Sequence, residues 1–115
     1  MYRRVDDEVH ADVILGTALE GAPGRAHGGA TAALFDDAMG SVQRVVDKYG
    51  YTRTLEITYR APLPTDELVQ FRCRLVRSTD RTFTMEGEAV HSGTTVATAV
   101  AVFTAVDLDR LAEGT

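Results

Sequence analysis

Arg25-Ala26-His27-Gly28-Gly29-Ala30-Thr31-Ala32-Ala33-Leu34-Phe35-Asp36-Asp37-Ala38-Met39-Gly40 is the stretch on which the fold turns. Gly28 and Gly29 are poor residues for a helix interior, but they can make the tight start of one and leave its backbone open to close approach. From residue 30 to about residue 48, Leu34, Phe35, Ala38, Met39, Val42, Val45, Val46 and Tyr49 recur at spacings of three and four. They share one apolar arc, which predicts a helix with that arc on the core. Asp37, Ser41, Arg44 and Lys48 fall on a polar arc assigned to water. Asp36 belongs to neither arc. Its wheel neighbours Gly29, Ala32, Ala33 and Gly40 are all very small, so its carboxylate stands on a strip that another backbone or a substrate could approach. An Asp in the first turns of a helix also favours the macrodipole without further purpose. The pattern alone therefore leaves Asp36 open between a solvated residue and a site residue.

Outward from the helix, the chain reads as sheet. Residues 8–19 alternate as a first strand, residues 20–24 are a turn-rich loop, and Gly50 reads as the stop signal of the helix. Residues 52–60 set Leu55, Ile57 and Tyr59 on one face and Thr54, Glu56, Thr58 and Arg60 on the other, until Pro62 and Pro64 break the strand. Strands follow at 67–77, 82–91 and 95–106. The last is small or apolar on both faces, as a strand covered on both sides would be. The tail from Asp107 is polar and is expected to fray. The order strand, helix, four strands predicts an α+β domain: one long helix on a five-stranded, mainly antiparallel sheet, nearly a meander. A single helix covers one face only, so the other face is expected to need a cover, which dimerisation would supply.

Composition bounds the function. A chain of 115 residues is one domain, 1–115, and its hydrophobic share of 44% and charged share of 25% are those of a globular protein. The net charge of −5 argues against a nucleic-acid partner, which would call for a basic balance. Neither a signal-peptide core nor a run of eighteen apolar residues is present, so no membrane partner is expected and a cytoplasmic location is. Cys73, the single cysteine, alternates with apolar residues and reads as a buried strand position rather than a nucleophile. His10, His27 and His91 are scattered without carboxylates at ligand spacing, so no metal site is expected. With no Ser or Cys beside it to activate, His27 reads as a loop histidine bonded to backbone. Arg72, Arg74, Arg77 and Arg81 form a local basic cluster. It reads equally as an anion site or as an exposed charged strand face.

The run Pro23-Gly24-Arg25-Ala26-His27-Gly28-Gly29-Ala30-Thr31-Ala32-Ala33-Leu34-Phe35-Asp36-Asp37-Ala38-Met39-Gly40 resembles the helix-start motif of hotdog-fold acyl-CoA thioesterases of the phenylacetate-pathway type. Leu55-Glu56-Ile57-Thr58-Tyr59-Arg60-Ala61-Pro62-Leu63-Pro64 resembles that family's second strand. The resemblance covers nearly the whole chain, and its specific part is the His-Gly-Gly then Leu-x-Asp spacing. It implies that Asp36 is the catalytic carboxylate, acting as general base or nucleophile. It also implies that the Gly28 N–H holds the thioester carbonyl and that Thr52 helps place the attacking water. His27 and Gly29 would flank the substrate, and Arg72 and Arg74 are the candidates for its coenzyme A phosphates. Coenzyme A is part of the substrate, so no separate cofactor is implied. The family further implies that Asp36 meets the Gly28 amide of a second subunit, making the partner a homodimer, with a tetramer expected beyond it. One element departs from the family: many members carry an Asn before the His-Gly-Gly, whereas here the loop is Glu20-Gly21-Ala22-Pro23-Gly24-Arg25. That departure motivates an alternative, a non-catalytic acyl-CoA-binding module. A hotdog dehydratase fits less well, because Asp36 has no histidine near it on the helix.

Overall fold

Helix α1, Gly28–Val46, sits where the apolar periodicity places it and presses Phe35, Ala38, Met39 and Val42 into the core. It starts on the His27 side chain, whose Nδ1 accepts from the Gly29 N–H at 2.9 Å. An N-terminal cap of this kind satisfies one of the helix's orphan donors. It ends at Asp47, not at Gly50: Asp47 takes the left-handed conformation (φ 55°) and its N–H returns to the Gln43 carbonyl. The computed structural model describes residues 2–107. The polar tail beyond Asp107 lies outside the described residues.

Gly50 instead opens a strand, and its lack of a side chain is steric. A Cβ at that position would stand 2.3 Å from the Thr104 carbonyl oxygen of the neighbouring strand. Among the described residues six strands form one antiparallel sheet: β1 Tyr2–Val5, β2 Glu8–Ile14, β3 Gly50–Tyr59, β4 Leu68–Ser78, β5 Thr82–His91 and β6 Thr94–Ala105, in the order β1-β2-β4-β5-β6-β3. A short 3-10 turn, Thr17–Leu19, replaces the end of the long first strand expected from the sequence.

Two differences from the sequence reading have physical causes. The sixth strand, β1, pairs with β2 through a turn at the positive-φ residue Asp6, and four residues were too few to show a period. It lies across the helix face assigned to water. The Tyr2 hydroxyl donates to Asp37, and Ser41 is buried while accepting from Arg44. Burial and the Asp37 carboxylate push the Tyr2 phenol up to about 12, so it remains a donor. The strands after the helix are also not a simple meander: only β4, β5 and β6 are, and β3 pairs beyond β6 at the far edge. The connection from β3 to β4 contains Pro62 and Pro64 and is too long for a tight hairpin. It crosses the end of the sheet and is stitched to the loop before the helix by Ala26 N–H to Leu63 O (2.8 Å), Thr65 N–H to Gly24 O (3.1 Å) and Asp66 N–H to Leu15 O (2.8 Å).

The core lies between α1 and the sheet. Phe35 meets Phe71 edge to face at 5.0 Å, and Phe83 stacks on Phe103 at 5.0 Å. Cys73 is fully buried here, and burial pushes its thiol up to about 12, as expected of a packing residue. The opposite sheet face is charged. Arg72 and Arg74 alternate with the core residues Phe71 and Cys73, so they project from it, and Arg74 lies 3.7 Å from Glu86 and 3.8 Å from Glu88. Val100, exposed opposite Glu86, stands on the same face, so charged and apolar positions mix there. Gly50→Ala should destabilise the domain by about 2 kcal/mol, because a strand backbone must move to admit the methyl. The midpoint of urea unfolding measures it, and an unchanged midpoint would contradict the close approach to Thr104.

Candidate active site

The helix start and the first turns of α1 face the edge strand β3 at two points. At one end, the Tyr59 hydroxyl donates to the Gly28 carbonyl at 3.0 Å. Two turns along, the Thr52 hydroxyl donates to Asp36 Oδ1 at 2.8 Å. Strict alternation along β3 would aim Arg53 at the helix and Thr52 away from it. The structure has a bulge at Arg53, where the register steps from Thr52 opposite Phe103 to Thr54 opposite Val102. Skipping Arg53 puts Thr52 on the same face as Phe103, toward α1, while Thr54 faces away. This re-aiming brings Thr52 to Asp36.

Asp36 is exposed, and its carboxylate keeps one oxygen without a protein donor among the described residues. The strip of small residues beside it is open. A Cβ on Gly40 would meet nothing within 4 Å, and Ala33 is exposed. Gly28 is the first residue of the helix and its N–H makes no hydrogen bond among the described residues, so it is a donor with the positive end of the helix dipole behind it. Its glycine is not forced by its own chain: an added Cβ would come no closer than 3.4 Å, to the Tyr59 hydroxyl. Within one chain Gly28 and Asp36 are eight residues apart on the helix, about 12 Å along its axis. One chain therefore does not bring them to a common reacting atom.

The other residues singled out from the sequence fall in two places. His27 and Gly29 are joined to each other in the cap beside Gly28. Arg72 and Arg74 are not brought to this site. They stand on the far face of the sheet, where Arg72 donates to Gln70 and Arg74 pairs with Glu86 and Glu88. His10 and His91 pair with Glu8 and Glu67 away from the helix start, and no group of three metal-ligating side chains occurs among the described residues. Sequence reasoning gave Tyr59 only a place in a motif. Its position one strand-length from Thr52 was the available signal, but the pairing of β3 beside the helix was needed to see its contact with Gly28. It also missed the cleft at the helix start, of about 490 Å³, which Gly28 and Tyr59 line together with Arg25, Arg60 and Thr31. No helix among the described residues is long and apolar enough to cross a membrane.

Comparisons with known proteins agree with this architecture. The family model described as thioesterase superfamily matches residues 23–98, which include the whole helix, β3 and β4. Among solved structures, a thioesterase superfamily protein shares 27% identity at a TM-score of 0.85, over 89% of this chain and 54% of its own. The present chain thus spans about half the length of that relative. A phenylacetic acid degradation-related protein from Ralstonia eutropha JMP134 shares 26% identity at a TM-score of 0.79, over 92% of this chain and 83% of its own. A hypothetical thioesterase from Streptococcus pneumoniae TIGR4, solved with coenzyme A, has the same fold at a TM-score of 0.86 and 20% identity, over 92% of this chain and 84% of its own. No curated protein matches the chain. One long helix on an antiparallel sheet, a histidine-capped glycine pair at the helix start and a family match across most of its length together place the chain in the thioesterase superfamily, with the hotdog fold.

Proposed function

We propose that this chain hydrolyses the thioester of an acyl- or aryl-CoA, with Asp36 as general base or nucleophile, the Gly28 N–H polarising the carbonyl and Thr52 orienting the attack. The observation that carries this reading is the Thr52–Asp36 hydrogen bond at the open, small-residue strip of α1, with a free helix N–H at the same helix's start. Superfamily membership and a fold relative solved with coenzyme A support the choice of substrate class.

The chemistry has two routes through the same groups. As a base, Asp36 takes a proton from water while the water oxygen bonds the carbonyl carbon. The carbonyl oxygen becomes an oxyanion at the Gly28 N–H, and its collapse breaks the C–S bond to release coenzyme A thiolate. As a nucleophile, the Asp36 carboxylate bonds the carbonyl carbon and expels the thiolate, and water then cleaves the resulting anhydride. In both routes the thiolate is protonated on departure and no separate cofactor enters. A preorganised backbone donor of this type is worth roughly 3 kcal/mol in the barrier.

The separation of about 12 Å between Gly28 and Asp36 within one helix supports a site shared by two copies of the chain. The unpaired edge of β3, ten residues long with Tyr51 and Tyr59 exposed, is the surface that would bring a second copy beside the strip. A homodimer is the minimal assembly on this reading, and pairing of dimers into a tetramer is compatible with it.

Asp36→Asn should lower free-thiol release from acyl-CoAs by about a hundredfold or more while leaving the unfolding midpoint nearly unchanged, since the side chain is exposed. Turnover retained in the folded variant would remove Asp36 from the chemistry. Intact acyl-CoA binding without thiol release by the wild type would favour the binding module. Gly28→Ala should keep or slightly raise stability, because its methyl meets only ordinary contacts, yet lose most turnover if a substrate must reach that N–H. Co-refolding Asp36→Asn with Gly28→Ala chains should restore turnover that neither shows alone, and no recovery would rule out the shared site.

A further inference from the structure

Strand β3 is laced to α1 at three points in antiparallel order. The Gly50 N–H donates to Gln43 Oε1 at 3.1 Å, the Thr52 hydroxyl to Asp36 and the Tyr59 hydroxyl to the Gly28 carbonyl at 3.0 Å. The bulge at Arg53 and the pairing of Tyr59 with Ala97 put Thr52, Leu55, Ile57 and Tyr59 on one row facing the helix. Leu55 and Ile57, in the middle of that row, pack against the core, and a phenylalanine at 59 would continue it. The Tyr59 hydroxyl does something that packing does not. It grips the peptide unit between Gly28 and Gly29 by its carbonyl, while the N–H of the same unit donates to His27 Nδ1 at 2.9 Å. Gly29 has to be small for this, since a Cβ on it would stand 3.0 Å from that nitrogen. Two successive glycines make a loose start to a helix, and a peptide unit held from both ends removes the looseness beside the Gly28 N–H.

The preceding peptide unit, which carries the Gly28 N–H, is tied at the His27 carbonyl by the Ala30 and Thr31 N–H groups at 3.0 and 3.2 Å. With the units on both sides tied, the two torsions of Gly28 are constrained and its N–H keeps one direction. Resting on the hydrolase reading for its reaction, we propose that Tyr59 is a positioning residue: its hydroxyl holds Gly28 so that the free N–H is already aimed where the oxyanion forms. Tyr59 does not bond the substrate carbonyl itself. A phenol has one proton to donate, and here it goes to the Gly28 carbonyl. Nor is the bond there for stability, because Tyr59 is 49% exposed and a hydrogen bond in reach of water adds little. Donation into the Gly28 carbonyl also polarises the Gly29 N–H that bonds His27, so Tyr59 and His27 act on the donor as one chain.

Thiol-release kinetics on the acyl-CoA that the wild type hydrolyses fastest, with Tyr59→Phe beside it, test the role. The variant keeps the ring and loses only the hydroxyl, so its unfolding midpoint should stay nearly level. Its kcat should fall about tenfold while KM stays within about twofold, because a donor aimed at the oxyanion acts in the transition state and not on bound substrate. Combining Tyr59→Phe with His27→Ala should cost clearly less than the product of the two single losses, since either one already frees the same peptide unit. A kcat equal to that of the wild type overturns the proposal and leaves the hydrolase reading standing. A rise in KM with kcat unchanged overturns it too, by making Tyr59 a binding group, and so do losses that multiply fully in the double variant. A wild type that releases no thiol from any acyl-CoA removes the hydrolase reading, and the positioning role with it.

Discussion

Burial of Phe35 sets the rotation of α1, and the rest of the site follows from it. Its ring is fully buried edge to face on Phe71, in space that Gly87 leaves: a Cβ there would come within 3.1 Å of the Phe35 ring. In a helix each residue turns by about 100° from the last. With Phe35 anchored downward, Asp36 must project sideways, toward the edge strand β3 and the unoccupied strip beside it. A carboxylate so placed is not stabilised by burial, nor by an ion pair among the described residues. It is held by a single hydroxyl donor, Thr52, and is otherwise left to water or to whatever approaches that edge.

The start of the helix is held with equal economy. The β3–β4 connection, which its prolines keep from hairpin pairing, gives its backbone groups to the loop before α1 instead. Glu20 ties the same loop, accepting from the Gly24 N–H and the Thr65 hydroxyl. His27 then caps Gly29, and Tyr59 bonds the Gly28 carbonyl. Every bond in this set leaves the Gly28 N–H untouched. The backbone around it is pinned while the donor itself is free, which is the arrangement that electrostatic preorganisation calls for.

The two sheet faces solve different problems. The helix face supplies hydrophobic stabilisation through Phe71, Phe83, Phe103 and the alanines of β6. The far face sets opposite charges side by side across strands, with Arg74 between Glu86 and Glu88. Partly exposed pairs of this sort contribute little to stability, but they keep the face soluble. At the edge of β3, which pairs on one side only among the described residues, the candidate site residues Asp36, Thr52, Gly28 and Tyr59 converge.

The helix, its apolar arc, the glycine start and the isolation of Asp36 on a small-residue strip were all legible in the sequence. Each is a local consequence of residue spacing, and the strands after the helix were legible for the same reason. Gly50 was misread as a helix stop, since a glycine at a stop and a glycine under a neighbouring carbonyl look alike in one dimension. The pairing of β3 beyond β6, the strap of β1 over Asp37 and Ser41, and the separation of Arg72 and Arg74 from the site depend on which strands meet, a long-range choice that no local period encodes. The bulge at Arg53 shows the division best. The sequence by itself determined that a threonine precedes an alternating strand and that an aspartate stands two turns into a helix. Only the tertiary structure decided that they meet, because one residue skipped in the β3–β6 ladder turns Thr52 from the solvent face to the helix face.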